Sequence, residues 1–407
     1  MLEIALLIAV GVALLAHIVF WSSPGFLLVL GFIVWSMGFT WILGVPRALA
    51  VSGGLILIAA SIFKLQRENG SSRRPHPVAY FPLAMAVLGI VLIPWATYPE
   101  FPQSVVALGV LTLLAARTIP AELLTRSAFV ATSFLAALNF ALLLLRQPEA
   151  YLAGRFQGIA ENPNGLGSFT FLWVALSFGI SRRAVLIVTP LATILAVASG
   201  SRGGTLALIA AVAAGVWVGG LAGRRGRGRW VARILLGVTL VSLAWYIHRL
   251  FGGADSALSD AALLRTIDSS RVDVAAESWS RFLEKPLTGW GMGQTDLAFE
   301  AHVQPVTIAY QVGVIGLVLF FALAVTMVLT RWRHSPALAA LVFGSLVAWT
   351  AESWILSTSD LALIFWMALA TLTSQSLNDA NEPPPWSTST RATHSVDDSS
   401  GRSVSIR

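Results

Sequence analysis

Apolar segments near the length that crosses a bilayer recur along almost the whole chain, and short polar breaks separate them. This pattern predicts an all-α, polytopic membrane helix bundle. Neighbouring segments near the N-terminus can merge, so we expect 12–13 transmembrane helices. The predicted segments are Leu2–Phe20, Phe26–Leu43, Ala48–Phe63, Val78–Trp95, Ser104–Ala116, Ala121–Leu145, Gly165–Ile180, Ala184–Ala198, Gly203–Ala222, Val231–Phe251, Pro305–Thr330, Pro336–Leu356 and Leu361–Ser374.

Composition excludes a soluble domain. The 407 residues are 56% hydrophobic and 12% charged, with a mean hydropathy of +0.75. The net charge of +7 lies mainly in short loops, as membrane topology requires, so nucleic acid is not an expected partner. Cysteine is absent from the chain, which excludes disulfides and thiolate chemistry. The first apolar segment lacks a basic start and a small-residue cleavage site, so we expect a retained helix.

Basic loops predict the orientation, because cytoplasmic loops carry an excess of arginine and lysine. The strongly basic loops are Lys64–Arg74, Arg182–Arg183 and Arg224–Arg229. Alternation of the helices then predicts that three connections face the outer side, namely Arg146–Asn164, Ser199–Arg202 and Gly252–Gln304. The helices that begin at Gly165, Gly203 and Pro305 should therefore all start on the outer side.

The longest connection, residues 252–304, contains a predicted amphipathic helix. Ser270–Asp273 matches a capping box, and Pro286 ends the pattern. An apolar stripe at helical spacing is formed by Val272, Ala276, Trp279 and Phe282, and Glu277 stands four residues before Arg281 on the polar face. Such a helix lies on the outer membrane surface or caps a cavity beneath it. We assign residues 1–376, including this loop, to one transmembrane domain and residues 377–407 to a disordered polar tail.

The outer face gathers groups that suit an anion. Helix N-termini attract anions, and arginine beside such a terminus suits phosphate. The candidate arginines are Arg155, Arg202, Arg265 and Arg271, and the polar residues at the helix starts are Asn162, Asn164, Ser201 and Gln304. His302 stands just before a predicted helix, where its imidazole could act as a general base.

Each of these residues also has a structural alternative. Arg202 could be an anchor whose side chain snorkels to the interface. Arg265 and Arg271 could be exposed loop charges, and His302 could be structural. The stretch Asn162–Gly165 could serve only as a turn and a helix cap.

Metal and cofactor chemistry is not expected. The outer loops contain no Asp-x-Asp pair, and the chain lacks a P-loop, a zinc motif or a nucleotide-binding fingerprint. A metal-free, arginine-rich site on the outer face would need a donor that arrives already activated in the membrane. A polyprenyl diphosphate sugar meets that requirement.

A set of short motifs resembles the O-antigen ligase and polymerase superfamily over roughly Arg155 to Phe320. In chain order they are Arg155–Gly158 with Asn162–Asn164, Ser201–Gly204, Arg271 with Trp279, Pro286–Gly293, His302 and Val312–Leu317. No single motif is specific, but their order and the long outer loop are typical of this superfamily.

The resemblance implies a bundle of the membrane-embedded glycosyltransferase type in the bacterial inner membrane, with a periplasmic active site. It also implies metal-independent, inverting transfer of glycan from undecaprenyl diphosphate to an acceptor hydroxyl. Carried over by motif, Arg202 and Arg271 would hold the diphosphate, with Arg265 as a third member. His302 would deprotonate the acceptor sugar.

Three functions stay open. A compact chain with one major outer loop most resembles the ligase, which joins O-antigen to lipid A core. A polymerase that uses the same donor is the alternative within the superfamily. A transporter of anions or lipid-linked glycans is the alternative from another class, but it should place charge near the bilayer midplane, where this chain has almost none apart from Glu352 and Arg126.

Overall fold

A computed structural model describes residues 22–37, 47–69, 73–91, 100–152, 154–160, 162–222, 274, 276–291, 304–330, 332–350 and 360–381. The helices in this part of the chain are α1 (Pro24–Met37), α2 (Arg47–Asn69), α3 (Phe81–Val91), α4 (Glu100–Thr118), α5 (Ala121–Leu145), α6 (Pro163–Phe178), α7 (Arg182–Ser199), α8 (Arg202–Ala222), α9 (276–284), α10 (Gln304–Leu329), α11 (Pro336–Ala348) and α12 (Asp360–Asn381). Short 3₁₀ turns occur at Pro77–Tyr80, Pro148–Ala150 and Trp332–His334.

The predicted all-α, polytopic membrane bundle is confirmed. Among the described helices, five are long and apolar enough to cross a membrane, and shorter apolar helices accompany them. The bundle carries many exposed large apolar side chains, such as Leu144, Trp217 and Leu329, as a lipid-facing surface does. The predicted segments Leu2–Phe20 and Val231–Phe251 lie outside the described residues, so the total of 12–13 helices stays a prediction.

The core of the bundle surrounds α12 and α6. Residues 362–370 of α12 are all buried, and so are residues 166–177 of α6. The ring of Trp366 in α12 stacks on that of Phe81 at a centroid distance of 5.4 Å. A helix that is apolar on every side needs neighbours on every side, which explains the central position of these two helices.

Helix α12 continues to Asn381, beyond the predicted end at Ser374; the rest of the predicted tail lies outside the described residues.

Local signals explain where the helices near the site begin. The Asn162 side chain accepts a hydrogen bond from the backbone of Asn164, and Pro163 occupies the first turn of α6. The Ser181 and Ser335 side chains cap α7 and α11 in the same way. Helix α7 ends at Ser199 and is capped by Gly200, whose φ of 60° lies in the left-handed region that glycine tolerates.

Helices α6 and α8 run parallel, with their starts side by side. Gly167 packs against Gly204 and Ser201 near the starts, and Gly215 packs against the ring of Phe178 near the ends. Small residues let two helix backbones approach closely in this way, as in many membrane helix pairs. We call the end of the bundle at which α6 and α8 begin the Arg202 end.

Helix α11 runs antiparallel to α8, so its last turn lies at the Arg202 end. A Cβ added at Gly344 would lie 3.3 Å from the carbonyl oxygen of Ala207, while one at Gly219 would lie 3.6 Å from Pro336. The amide of Gln304 donates to the carbonyl of Trp349, just past the end of α11, at 3.0 Å. The starts of α6, α8 and α10 therefore all lie at the Arg202 end, as the alternation of helices predicted.

Candidate functional site

The turn before α8 holds Arg202 at the first position of the helix. Ser201 is buried, and its hydroxyl accepts a hydrogen bond from the amide of Gly204 at 3.1 Å. The hydroxyl of Ser199 in turn accepts from the amide of Ser201 at 3.2 Å. Ser201 thus caps α8, and this fixed turn leaves Arg202 half-buried at the helix N-terminus.

Arg155 joins the start of α6 to the end of α7, just before the turn that leads into α8. It lies in a two-residue antiparallel hairpin formed by Tyr151–Leu152 and Arg155–Phe156. Its Nε donates to the carbonyl of Ser199 at 2.9 Å, and its Nη2 donates to Oδ1 of Asn164 at 2.8 Å. The guanidinium therefore spans from the first turn of α6 to the last turn of α7.

Asn162 and Asn164 differ in their positions. Asn162 is exposed and acts as the N-cap of α6, whereas Asn164 is only 6% exposed and holds the guanidinium of Arg155. Neither α6 nor α8 has an acidic residue in its first turn. The Arg202 end thus brings together two arginines and two helix N-termini, an arrangement whose local field favours an anion.

A buried asparagine that sequence reasoning missed supports the Arg155 hairpin. Asn139 in α5 is 1% exposed, and its Oδ1 accepts from the amide of Ile159 at 2.9 Å. Gly158, with a φ of 62°, passes so close to this side chain that a Cβ there would collide with Oδ1. The sequence offered one signal of this contact: Asn139 is an isolated asparagine inside a predicted membrane helix, and a buried side-chain amide needs a hydrogen-bond partner.

Helix α10 also begins at the Arg202 end. Gln304 is 2% exposed at the first position of α10. Its amide donates to the carbonyl of Trp349 at 3.0 Å, which ties the start of α10 to the end of α11. His302, Arg265 and Arg271 lie outside the described residues, so their roles remain predictions.

A break in α10 brings together two of the motifs noted in the sequence. Gly313 has a φ of 72° and a ψ of −165°, which interrupts the helix. The segment 286–291, which follows α9, lies against this break. The amide of Val314 donates to the carbonyl of Pro286 at 2.7 Å, and the amides of Trp290 and Gly291 donate to the carbonyls of Tyr310 and Gln311 at 2.8 and 2.9 Å.

Helix α9 is amphipathic, but its buried face differs from the predicted stripe. Ser278 and Phe282 are buried, whereas Trp279 is 43% exposed. The predicted pair of Glu277 and Arg281 is present, with a distance of 2.9 Å between Oε1 and Nη2. Partial burial alone would lower the pKa of Arg281, but the hydrogen bond and charge of Glu277, with the nearby hydroxyl of Tyr310, outweigh it and raise that pKa.

The described residues contain no group of three histidine, cysteine, aspartate or glutamate side chains placed to hold a metal ion. The groups that are placed together are cationic side chains and helix amides. With the fold, they define a multi-pass membrane protein that has a candidate cationic site at one end of its bundle.

Residues 185–321 match the family model of O-antigen ligase. The match runs from α7 into α10 and includes Arg202, Arg265, Arg271, His302 and Gln304, while Arg155 and Asn164 precede it. The resemblance to the O-antigen ligase and polymerase superfamily is thereby confirmed for this segment, about a third of the chain. The match supports O-antigen ligase or polymerase activity, that is, a glycan-transferring membrane enzyme. No match was found among curated proteins.

Proposed function

We propose that the protein transfers O-antigen glycan from undecaprenyl diphosphate to a sugar hydroxyl of lipid A core, at the periplasmic face of the bacterial inner membrane. The observation that carries this proposal is the Arg202 end itself. There, Arg155 and Arg202 stand at the adjoining N-termini of α6 and α8, with no acidic residue in either first turn. Such a site suits a diphosphate.

In this mechanism the arginines bind the leaving group. Arg202 and Arg271 bind the diphosphate, and Arg265 adds a third positive charge. As the bond between the anomeric carbon and the phosphate oxygen breaks, negative charge grows on that oxygen, and the guanidinium groups stabilise it. Removing one donor from such a site typically lowers the rate by about 10²- to 10³-fold.

The acceptor is activated by His302. Its imidazole takes the proton from the acceptor hydroxyl, whose oxygen attacks the anomeric carbon from the side opposite the diphosphate. The new glycosidic bond therefore has the inverted configuration. The products are the extended acceptor, undecaprenyl diphosphate and a proton on His302, so the step balances without a metal or cofactor.

The hydrogen bonds of Arg155 favour a positioning role over the direct substrate contact expected from the sequence. Two of its three guanidinium nitrogens are bonded to Ser199 and Asn164. These bonds hold the turn that precedes Arg202. We therefore assign Arg155, Asn162, Asn164 and Ser201 to the framework that presents Arg202 to the donor, with Gln304 at the start of α10.

A polymerase that uses the same donor is the second candidate, since the family match covers both activities. A transporter is less well supported. Arg126, a charge that could have lain near the midplane, stands in the second turn of α5 and pairs with Glu122 at 2.6 Å, both side chains being mostly exposed. That pair lies near a helix end, and not near the bilayer midplane, where a transporter should place its charge.

Reconstitution tests the proposal. Purified protein in liposomes is given undecaprenyl diphosphate glycan with either lipid A core or a second carrier-linked glycan. We expect the wild type to consume lipid A core, and we expect Arg202→Ala and His302→Ala to lower transfer by at least 10²-fold. Arg126→Ala, which removes an equal charge far from the site, is the matched control and should retain activity.

The acceptor separates the candidates. Consumption of the second carrier-linked glycan alone would assign the polymerase, and consumption of neither acceptor would favour transport. Unchanged transfer by both Arg202→Ala and His302→Ala would refute the assigned site.

A further inference from the structure

The break in α10 lies well below the start of that helix. Helix α10 has 26 residues, so it is about 39 Å long, whereas the hydrocarbon core of a bilayer is about 30 Å thick. A centred helix would extend about 4–5 Å beyond each boundary. Gly313 follows Gln304 by nine positions, or about 14 Å along a helix axis, so in a straight, centred helix it would lie about 9 Å inside the hydrocarbon.

Backbone groups at that depth need partners within the protein, because lipid offers none. The segment 286–291 supplies them. Pro286 accepts from the amide of Val314, while Trp290 and Gly291 donate to two carbonyls of the preceding turn. The segment must therefore lie at the same depth as the break.

Two glycines make this approach possible. A Cβ at Gly289 would lie 2.6 Å from the backbone of Gln311 and Val312, and one at Gly313 would collide with the carbonyl oxygen of Leu287. Both glycines have positive φ, at 65° and 72°. The two chains thus meet backbone to backbone, a contact that larger residues would prevent.

The exposed side of this region is apolar and continuous with a membrane-spanning surface. Leu287 is 67% exposed beside the break, and Ile315, Val318 and Phe321 on α10 are 50%, 61% and 54% exposed. Trp279 and Leu283 lie one helical turn apart on α9 and are also exposed, and Leu287 follows in the turn after the helix; we call these three side chains the exposed stripe.

The charge pattern agrees with contact between residues 286–291 and lipid. Residues 286–291 contain no charged side chain. Lys285, immediately before them, places its Nζ 3.7 Å from the centroid of the Trp290 ring. A cation–π contact and a long flexible stem let a lysine end near the interface.

We propose that residues 286–291 form a re-entrant segment inside the bilayer, and that the stripe of Trp279, Leu283 and Leu287 contacts lipid, with Leu287 in the acyl-chain region. This inference does not depend on the proposed function. As a consequence, the long connection is anchored in the membrane by its contact with the break in α10. The first part of α10 is then fixed at two points: Gln304 bonds to Trp349 at its start, and residues 286–291 bond to it at the break.

Because the chain contains no cysteine, single-cysteine variants can be spin-labelled directly. Leu287→Cys is labelled with a nitroxide in proteoliposomes, and its collision rates with oxygen and with a water-soluble nickel chelate are measured. Val318→Cys on α10 is the control for lipid, and Glu284→Cys on the exposed side of α9 is the control for water. The exposed Leu287 side chain packs little, so its replacement should not disturb folding, and elution like that of the wild type checks this.

We expect the label at position 287 to behave like that at position 318, with frequent oxygen collisions and few nickel collisions. Frequent nickel collisions, as at position 284, would place Leu287 in water and overturn the proposal. Few collisions with either reagent would mean that another part of the chain covers Leu287, which would also overturn it.

Discussion

Replacement of Gly289 by alanine tests the contact between the loop and the break in α10. The substitution adds one methyl group at a position where φ is 65° and where backbone atoms of Gln311 and Val312 lie 2.6 Å from the new Cβ. Those atoms belong to a helix backbone, which cannot rotate away as a side chain can. Gly154 offers a matched control, because its φ is 76° but nothing lies within 4 Å of a Cβ there.

The magnitude separates into two contributions. Alanine in the left-handed region costs about 1–2 kcal/mol at either position. Carbon atoms in contact prefer separations of about 3.5–4.0 Å, so the methyl at position 289 is roughly 1 Å too close to its neighbours. Such overpacking typically costs a further 1–3 kcal/mol or so. We expect Gly289→Ala to destabilise by about 2–5 kcal/mol and Gly154→Ala by about 1–2 kcal/mol.

The free energy of unfolding is measured by titration with sodium dodecyl sulfate in mixed micelles, for the wild type and both variants. The difference between the two variants isolates the contact, since both share the cost of the positive φ. If Gly289→Ala destabilises no more than Gly154→Ala, the loop does not lie against α10 and the reasoning fails.

Two further predictions concern other contacts. Arg155→Ala should lower kcat about tenfold or more and leave the KM for the donor nearly unchanged, because it removes two hydrogen bonds that hold the turn before Arg202. Arg126→Ala is the control. A raised KM with an unchanged kcat would instead indicate that Arg155 binds the donor directly. Burial lowers the pKa of His76, so the folded protein binds its proton less well than the unfolded chain. Stability should fall as pH drops through about 6.5. Thermal unfolding at pH 7.5 and 5.5 should show a smaller drop for His76→Asn, and an equal drop would contradict the assignment.

Much of the bundle and part of the site could be predicted from local patterns. The polar residues before α6 and α8 marked the helix starts to within two positions, because a cap acts on amides only two or three residues away. Successive membrane-spanning segments alternate in direction, and this alternation predicted that the two helices start at the same end of the bundle. The pair of Glu277 and Arg281 followed from helical spacing alone.

The hydrogen-bond partners of the site residues could not be predicted from local sequence patterns. Arg155 was expected at the donor, yet it bonds to residues nine and 44 positions away. Asn139 supports the Arg155 hairpin from another helix, 20 positions before Ile159. Hydrogen-bonding capacity is visible in a sequence, but the choice of partner depends on which helices pack together.

The sequence by itself determined that this is a helical membrane bundle and where α6 and α8 begin, because hydrophobic length, proline and capping residues act within a few positions. The tertiary structure alone decided that α10 breaks at Gly313 and that residues 286–291 fill the break. Glycine permits a positive φ but does not require it. The conformation is adopted here because a loop more than twenty positions earlier supplies the hydrogen bonds that the broken helix has lost.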